Sequence, residues 1–392
     1  MLDSIYIGTT GLIGHQQGLR VIANNTANLN TPGYKSATLQ FADLFYASTP
    51  SNGRAQVQLG HGLGTAGTRL DFRPGDLRQT GNELDLALDG AGFFQLRDAQ
   101  GQARYTRAGQ FQFDVEGILV NRADGSQVQG LDAGGKAGAI SLAGLQVAPG
   151  QATSVIRFTG NLSTSTTAQT VGSVQVFDAL GEEHALSLQL TSTDSTTPGS
   201  WKVELMEGGS AVGTSEIVFA DGHPTAETAK LAFTYTPPGR ATQQLTLDFS
   251  TDVTAFAAGN LSTLAMSSQD GHAPANLAKV SFDASGTLVA TYANGQTRKG
   301  ARLALARFST PEAAEALGGS LFGAAAGFSW QSGVAGEGGF GAVKGGMLEM
   351  SNVDLSREFS DLVVMQRGYQ AASQVVATAN DMLQELFGMT RK

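Results

Sequence analysis

The sequence predicts a mainly β chain bounded by long terminal α-helices, with nested domains between them. The helices pair as a coiled coil, a β-domain is built from two flanking segments, and an outer β-domain is inserted into it. Three observations carry this. Near the C-terminal end Leu355, Leu362, Tyr369, Val376 and Leu383 recur every seventh residue, and Met365, Ala372, Ala379 and Leu386 follow three places on. Such a/d spacing, sustained over about five heptads, is that of a coiled-coil seam, broken only by Glu358 at its first d place. At the other end Ile5, Leu12 and Leu19 keep the same spacing, and Ile22 and Ala23 continue the face. Between the stripes, short apolar runs alternate with Gly, Asp and Asn turn signals, the pattern of strands and hairpins.

The first element, residues 1–30, is a helix by its stripe and a poor one by propensity. Gly8, Gly11, Gly14 and Gly18 each weaken it by about 1 kcal/mol against alanine. An isolated helix of this length is marginal even without that load. The helix is therefore expected to form only when packed, its glycines allowing a neighbouring helix to come close. Asn30-Thr31-Pro32-Gly33 then stops it by turn chemistry, and residues 31–70 read as a connecting stretch.

From about Ala55 to Leu145 the pattern is one of short strands. Asp98–Gly101, Asp114–Gly117 and Asp124-Gly125 sit between alternating apolar stretches as hairpin turns. Phe111 and Phe113 fall on one face. Residues 149–273 change texture to Thr, Ser and Ala with long polar loops, an inserted outer β-domain whose Ser173–Phe177 and Ala185–Leu190 flank a hairpin at Asp178–Gly181. A meander at Lys279–Phe282, Thr287–Tyr292 and Arg302–Phe308 then rejoins the first β-segment, so 71–148 and 274–345 form one discontinuous inner domain. The glycine-dense 323–346 connects it to the last helix, within 346–392. Asn352 or Asp354 caps that helix, and Gly388 is a C′ stop. A helix over Asp354–Phe387 extends about 50 Å, more than a small domain can cover, so part of it needs a partner outside its own subunit. The two helices are expected to pair on assembly rather than to clasp within one subunit.

Composition narrows the chemistry. Glycine supplies 51 of 392 residues, 41% are hydrophobic and 15% charged, which indicates a folded, turn-rich chain rather than a disordered one. The formal charge of −9, without a Lys/Arg cluster, argues against nucleic acid as a partner. Cysteine is absent, which excludes disulfides, thiolate metal sites and a cysteine nucleophile. No secretory signal is recognised at the amino end, and no apolar run approaches a membrane span.

No catalytic, cofactor or metal constellation emerges. Gly62-Leu-Gly64-Thr-Ala-Gly67 matches a dinucleotide-loop spacing, but the alternating residues after it break at Pro74, so no helix opens there. It reads as a bend between strands. The histidines are scattered without ligand spacing, and His184 reads as part of an exposed polar face. Asp85 and Asp89 alternate with Leu84, Leu86 and Leu88. They suggest a carboxylate pair for a secreted carbohydrate-binding or hydrolytic β-protein, or the outward polar face of a half-buried strand.

Three stretches resemble the flagellar rod and hook family of axial proteins. The first runs from Asn24, Asn25 and Asn28 through Thr31 and Gly33 to Tyr34-Lys35. The second contains Gly81, Asn82, Asp85, Gly90, Gly92, Phe93 and Phe94, followed by Tyr105-Thr106-Arg107-Ala108-Gly109. The third contains Leu348-Glu349, Asn352, Gln366 and Arg367. Residues 36–45 resemble the hook branch, whose members carry a large insert as this chain does, whereas Thr31-Pro32-Gly33-Tyr34 is a form also common among rod proteins where hooks more often have Thr-Gly-Phe, so a distal rod or hook-like paralogue stands as the alternative. The resemblance implies a non-enzymatic subunit that polymerises with itself into a tube around an export channel and passes torque from rod to filament. It also implies rod, hook-cap, hook–filament junction and type III export proteins as partners, an extracellular place in the flagellum, and export without a cleaved signal.

Overall fold

A computed structural model describes residues 2–49, 57–132, 134–310 and 313–390. The chain divides into two compact units. The first comprises Met1–Ala143, Val280–Val289 and Lys299–Lys392, the second Gly144–Lys279 and Ala290–Arg298.

The first unit contains both helices, α1 (Leu2–Ala27) and α2 (Leu355–Thr390). They run antiparallel within one chain: Gly8 lies against Val376, Gly18 against Met365, and Asn25 bonds Glu358. The expectation of a pairing made only between subunits is thereby corrected. Glycines at the contact let the two backbones approach closely enough for this intrachain clasp. At about 1.5 Å per residue, α2 spans about 54 Å and α1 about 39 Å, so α2 is the longer member. Asp354 caps α2, its Oδ1 accepting from Ser356 N (2.9 Å) and Arg357 N (3.3 Å). Gly388 is no stop, because the helix continues through it to Thr390.

α1 ends at Ala27, and the chain turns through Gly33 at φ +67°, where the Arg107–Ala108 backbone leaves no room for a Cβ. Part of the expected connecting stretch is a two-stranded ribbon, Ala37–Asp43 against Leu63–Leu70, whose Leu63 and Phe41 cover Gly14 of α1. The start of β-structure expected near Ala55 lies outside the described residues. Gly62 turns at φ +110°, while Gly64 and Gly67 lie inside the second ribbon strand, so the glycine motif is mostly strand rather than bend.

Strands of both units are joined by one recurring device. Asp98, Asp114, Asp178 and Asp283 each accept backbone N–H bonds two and four residues on, at 2.8–3.0 Å. The glycine three places after each adopts positive φ (Gly101, Gly117, Gly181, Gly286). A short acceptor followed by a left-handed glycine closes such turns locally, which is why they were readable. In the first unit Leu86, Leu88, Phe94, Leu96, Phe111 and Leu119 are buried. A second cluster joins Phe93, Tyr105 and Phe322 to Phe72, Phe308 and Trp330, with Trp330 stacked on Tyr105 at 3.9 Å. The glycine-dense stretch also contributes a strand, Ala342–Gly345, which pairs with Leu86–Asp89, and just beyond it Met347–Glu349 pairs with Leu77–Gln79.

The second unit encloses its own core between two sheets. One contains Val155–Asn161, Lys230–Tyr235, Gln243–Asp248, Val253–Thr254 and Ala265–Gln269. The other is an antiparallel run from Ala168–Phe177 through Glu183–Ser192 and Ser200–Glu207 to Ser210–Ala220, ending at His223–Pro224. Ile156, Leu188, Trp201, Leu205, Tyr235 and Leu247 lie in the core between them. The meander tip at Asn294-Gly295 groups with this unit: Asn294 Nδ2 donates to Ala273 O (3.0 Å), and Ala293 N to Asn276 O (3.0 Å). His184 is not on an exposed face. Its side chain is 12% exposed, between Asp178 (3.7 Å) and Glu207 (4.0 Å). Asp178, Glu182 and His184 converge there, and Arg240 already neutralises the two carboxylates at 2.9 and 2.8 Å.

Candidate functional site

Glycine, not leucine, forms the inner stripe of α1. Gly8, Gly14, Gly18, Ile22 and Asn25 are its buried residues, whereas Ile5, Leu12 and Leu19 are half-buried flanks. A methyl group at Gly8 would lie 2.6 Å from Val376 Cγ2, one at Gly11 3.3 Å from Ala372 Cβ, and one at Gly18 2.8 Å from Met365 Sδ. Gly368 of α2 makes the reciprocal contact with the His15 ring. On α2, Leu362, Met365, Ala372, Val376 and Leu383 are half-buried, and Ala379 and Glu358 are buried. Leu355, Tyr369 and Leu386 are 37%, 41% and 46% exposed, so the heptad stripe is covered unevenly along its length.

At the root of the pair, Asn25 uses its full hydrogen-bonding capacity. Its Nδ2 donates to Ala37 O (2.8 Å) and Glu358 Oε1 (2.9 Å), and its Oδ1 accepts from Ala37 N (3.0 Å) and Tyr34 Oη (3.1 Å). One buried amide therefore joins α1, the first ribbon strand and α2. Around it, Asn24 Nδ2 donates to Tyr34 Oη, Asn28 Nδ2 to Asn24 O, and Thr31 Oγ1 to Asn28 Oδ1. Asn352 is a clamp rather than a cap: its Nδ2 donates to Asp71 O (2.7 Å) and Arg73 O (3.0 Å), and its Oδ1 accepts from Ser36 N (2.8 Å).

Beside this root lies a buried charge cluster that joins the three motifs. Lys35 from the first, Arg107 from the second and Glu349 from the third are 3%, 4% and 0% exposed. Lys35 Nζ donates to Glu349 Oε1 at 2.5 Å, and Arg107 Nη1 to Oε2 at 2.9 Å. Further donors reach backbone carbonyls, Lys35 that of Arg73 (2.9 Å) and Arg107 those of Leu88 (3.1 Å) and Gly90 (2.6 Å), while the buried Arg107 Nε has no hydrogen-bond partner among the described residues. Glu349 also accepts from Gly75 N at Oε1 and from Gly33 N at its carbonyl. Burial pushes Lys35 and Arg107 below their ordinary values, and Glu349 opposes that shift in both. Sequence reasoning passed over these three as site residues. The available signal was one charged residue set among small and apolar neighbours in each motif.

The other motif residues shape this region or stand apart. Gly81, Gly90 and Gly92 have positive φ, and the Arg107 guanidinium lies 5.3 Å over the Phe93 ring. Phe94 packs edge-on against Phe111 at 5.2 Å. Asn82 donates to Asp85 Oδ1 at 3.2 Å. Asp85 is buried beside Arg122 (3.5 Å), whereas Asp89 is exposed beside Lys344 (3.8 Å). The two carboxylates serve different cations and form no acid pair. Asp85 is also not on an outward face, because Leu86, Ala87 and Leu88 are all buried and the strand is covered on both sides. Gln366 and Arg367 are exposed on α2.

Glu358 gives the helix root a pH dependence of known sign. Burial raises its pKa, against the lowering effect of the Asn25 bond. Its contribution to stability is therefore full below the ordinary carboxylate range and is lost as pH rises through the raised folded value. Glu358→Gln keeps an acceptor for Asn25 and removes the titration. The variant is expected to unfold at a higher denaturant midpoint than the parent at neutral pH, with the difference shrinking toward pH ~4. Parallel midpoint curves at both pH values would contradict this.

The solvent side of the pair carries apolar side chains among its polar ones. Leu2, Tyr6 and Ile13 of α1 and Phe359, Val363 and Met382 of α2 are each more than half exposed. Among the described residues no helix is long and apolar enough to cross a membrane.

Comparison with known proteins places these features in context. Residues 5–35 match the family described as flagella basal body rod protein, and 87–175 the flagellar hook protein FlgE/F/G D1 domain. Residues 148–335 match the flagellar basal body protein FlaE D2 domain, and 344–389 the flagellar basal body rod FlgEFG protein C-terminal family. The flagellar hook protein FlgE of Escherichia coli K12 is 30% identical over 97% of this chain and 98% of its own. Hook protein FlgE of Treponema pallidum is 29% identical over 100% of both chains. The crystal structure of Helicobacter pylori flagellar hook protein FlgE2 shares the fold, with a TM-score of 0.50 over 70% of this chain and 100% of its own at 12% identity.

Proposed function

As this chain belongs to the flagellar hook protein family and is a structural subunit of the hook, we propose that the outward apolar face of its helix pair carries the polymer contacts. The observation behind this is apolar surface of α2 away from its contacts with α1: Phe359 and Val363 are more than half exposed, and Tyr369 is 41% exposed. A row of that length on a paired helix is a surface for further helices.

Through that face the helices would line the wall of a tube enclosing an export channel, with the second unit facing outward. The hook would then act as a universal joint that passes torque from rod to filament. The rod, the hook cap, the hook–filament junction proteins and the type III export apparatus are its proposed partners, reached without a cleaved signal.

Phe359→Asp combined with Val363→Asp places charges on the solvent side and leaves the Glu358, Met365 and Ala372 contacts in place. Electron microscopy is expected to show no tubes from this variant, with circular dichroism unchanged. Tubes of normal yield would refute the assignment of this face. The distal-rod reading rests on Thr31-Pro32-Gly33-Tyr34 alone, whereas the relatives similar over the whole chain are hook proteins.

A further inference from the structure

We propose that Glu349 is a folding gate: the inner strands of the first unit close only when the C-terminal segment delivers this carboxylate to Lys35 and Arg107. The two cations precede their partner by 314 and 242 positions. Glu349 is the only carboxylate in ion-pair contact with either among the described residues. Without it, closing the strands would bury two neighbouring positive charges, each supplied only with backbone carbonyls. A buried charge deprived of its partner is strongly unfavourable, so the chain around Lys35 and Arg107 stays hydrated and open until Glu349 arrives.

Arrival of Glu349 completes several contacts at once. Strand Met347–Glu349 pairs with Leu77–Gln79, and Gly33 and Gly75 donate to Glu349. Three residues on, Asn352 clamps Ser36 and Asp71, and Glu358 reaches Asn25. The gate therefore couples closure of the inner strands to registration of the two helices. In a chain delivered N-terminus first, it prevents the first unit from closing while the glycine groove of α1 lacks the helix that fills it.

Pulse-labelled hydrogen exchange during refolding of the full chain tests this. In the parent, amides of residues 86–121 are expected to gain protection within about twofold of the rate for 342–349. Protection of 86–121 roughly tenfold ahead of 342–349 in the parent would overturn the gate. In a Lys35→Met, Arg107→Met, Glu349→Leu variant, which removes all three charges, residues 86–121 are expected to run ahead by about tenfold. If that variant does not fold, Arg107→Met alone, which removes the cation within 86–121 and leaves the Lys35–Glu349 pair intact, is expected to put 86–121 ahead of 342–349 by about threefold. Groups that stay in step in the folded variant would show that strand pairing, not charge, sets the order.

Discussion

Glu349→Gln is expected to destabilise the first unit by about 3–5 kcal/mol and to leave the second unit unchanged. Glutamine nearly matches the shape of glutamate but supplies no charge, so Lys35 and Arg107 remain buried without a counter-ion. The chain has two tryptophans, one in each unit: Trp330 stacks on Tyr105 in the first, and Trp201 is buried in the second. Denaturant unfolding of Trp201→Phe and Trp330→Phe backgrounds therefore reads the two units separately. The midpoint reported by Trp330 is expected to fall sharply with Glu349→Gln, and that reported by Trp201 to stay. An unchanged Trp330 midpoint would show that the cluster contributes nothing, and equal losses at both would show that the units are not independent.

Asn25→Ala should have the next largest effect, about 2–4 kcal/mol, concentrated at the helix root. The amide satisfies Ala37 N and Ala37 O, and it holds the buried Glu358 carboxylate. Alanine leaves all three unpaired in a place with little water. The loss is expected to appear first as faster amide exchange in α1 and in Ala37–Asp43, with the hairpins around Phe111 still protected. Asn25→Asp is a sharper control, because it sets a second carboxylate beside Glu358. It is expected to be worse than alanine at neutral pH and to recover as the solution is acidified.

The elements legible in the sequence were those with local causes. Asp98–Gly101, Asp114–Gly117 and Asp178–Gly181 close as hairpins because the acceptor and the left-handed glycine lie within four residues of each other. Both helices were legible from their periodicity, and Asp354 from its place before the apolar stripe. What stayed hidden depends on contacts distant in sequence. The ribbon strand Ala37–Asp43 is defined by its partner at Leu63–Leu70 and by α1 beneath it. The glycines of α1 were legible as permitting a close neighbour, but which residues they meet, Val376 and Met365, is set by the fold. Lys35, Arg107 and Glu349 are unremarkable singly, and their meaning lies in the 242- and 314-residue separations that the fold closes. The same distance explains why Asn352, a plausible cap by position, is spent on Ser36 and Asp71 instead.

Intrachain pairing of α1 with α2, leaving the outer face for neighbouring subunits, is the central claim. Because the chain has no cysteine, a Gly11→Cys, Ala372→Cys variant tests it without background. A methyl at Gly11 would lie 3.3 Å from Ala372 Cβ, near the Cβ separation of about 3.5–4.5 Å that a disulfide spans. Oxidation of free subunits and of assembled tubes is predicted to give a product that migrates as a single cross-linked chain. A ladder of covalent multimers from the tubes would place the partner of α1 in a neighbouring subunit and contradict the claim.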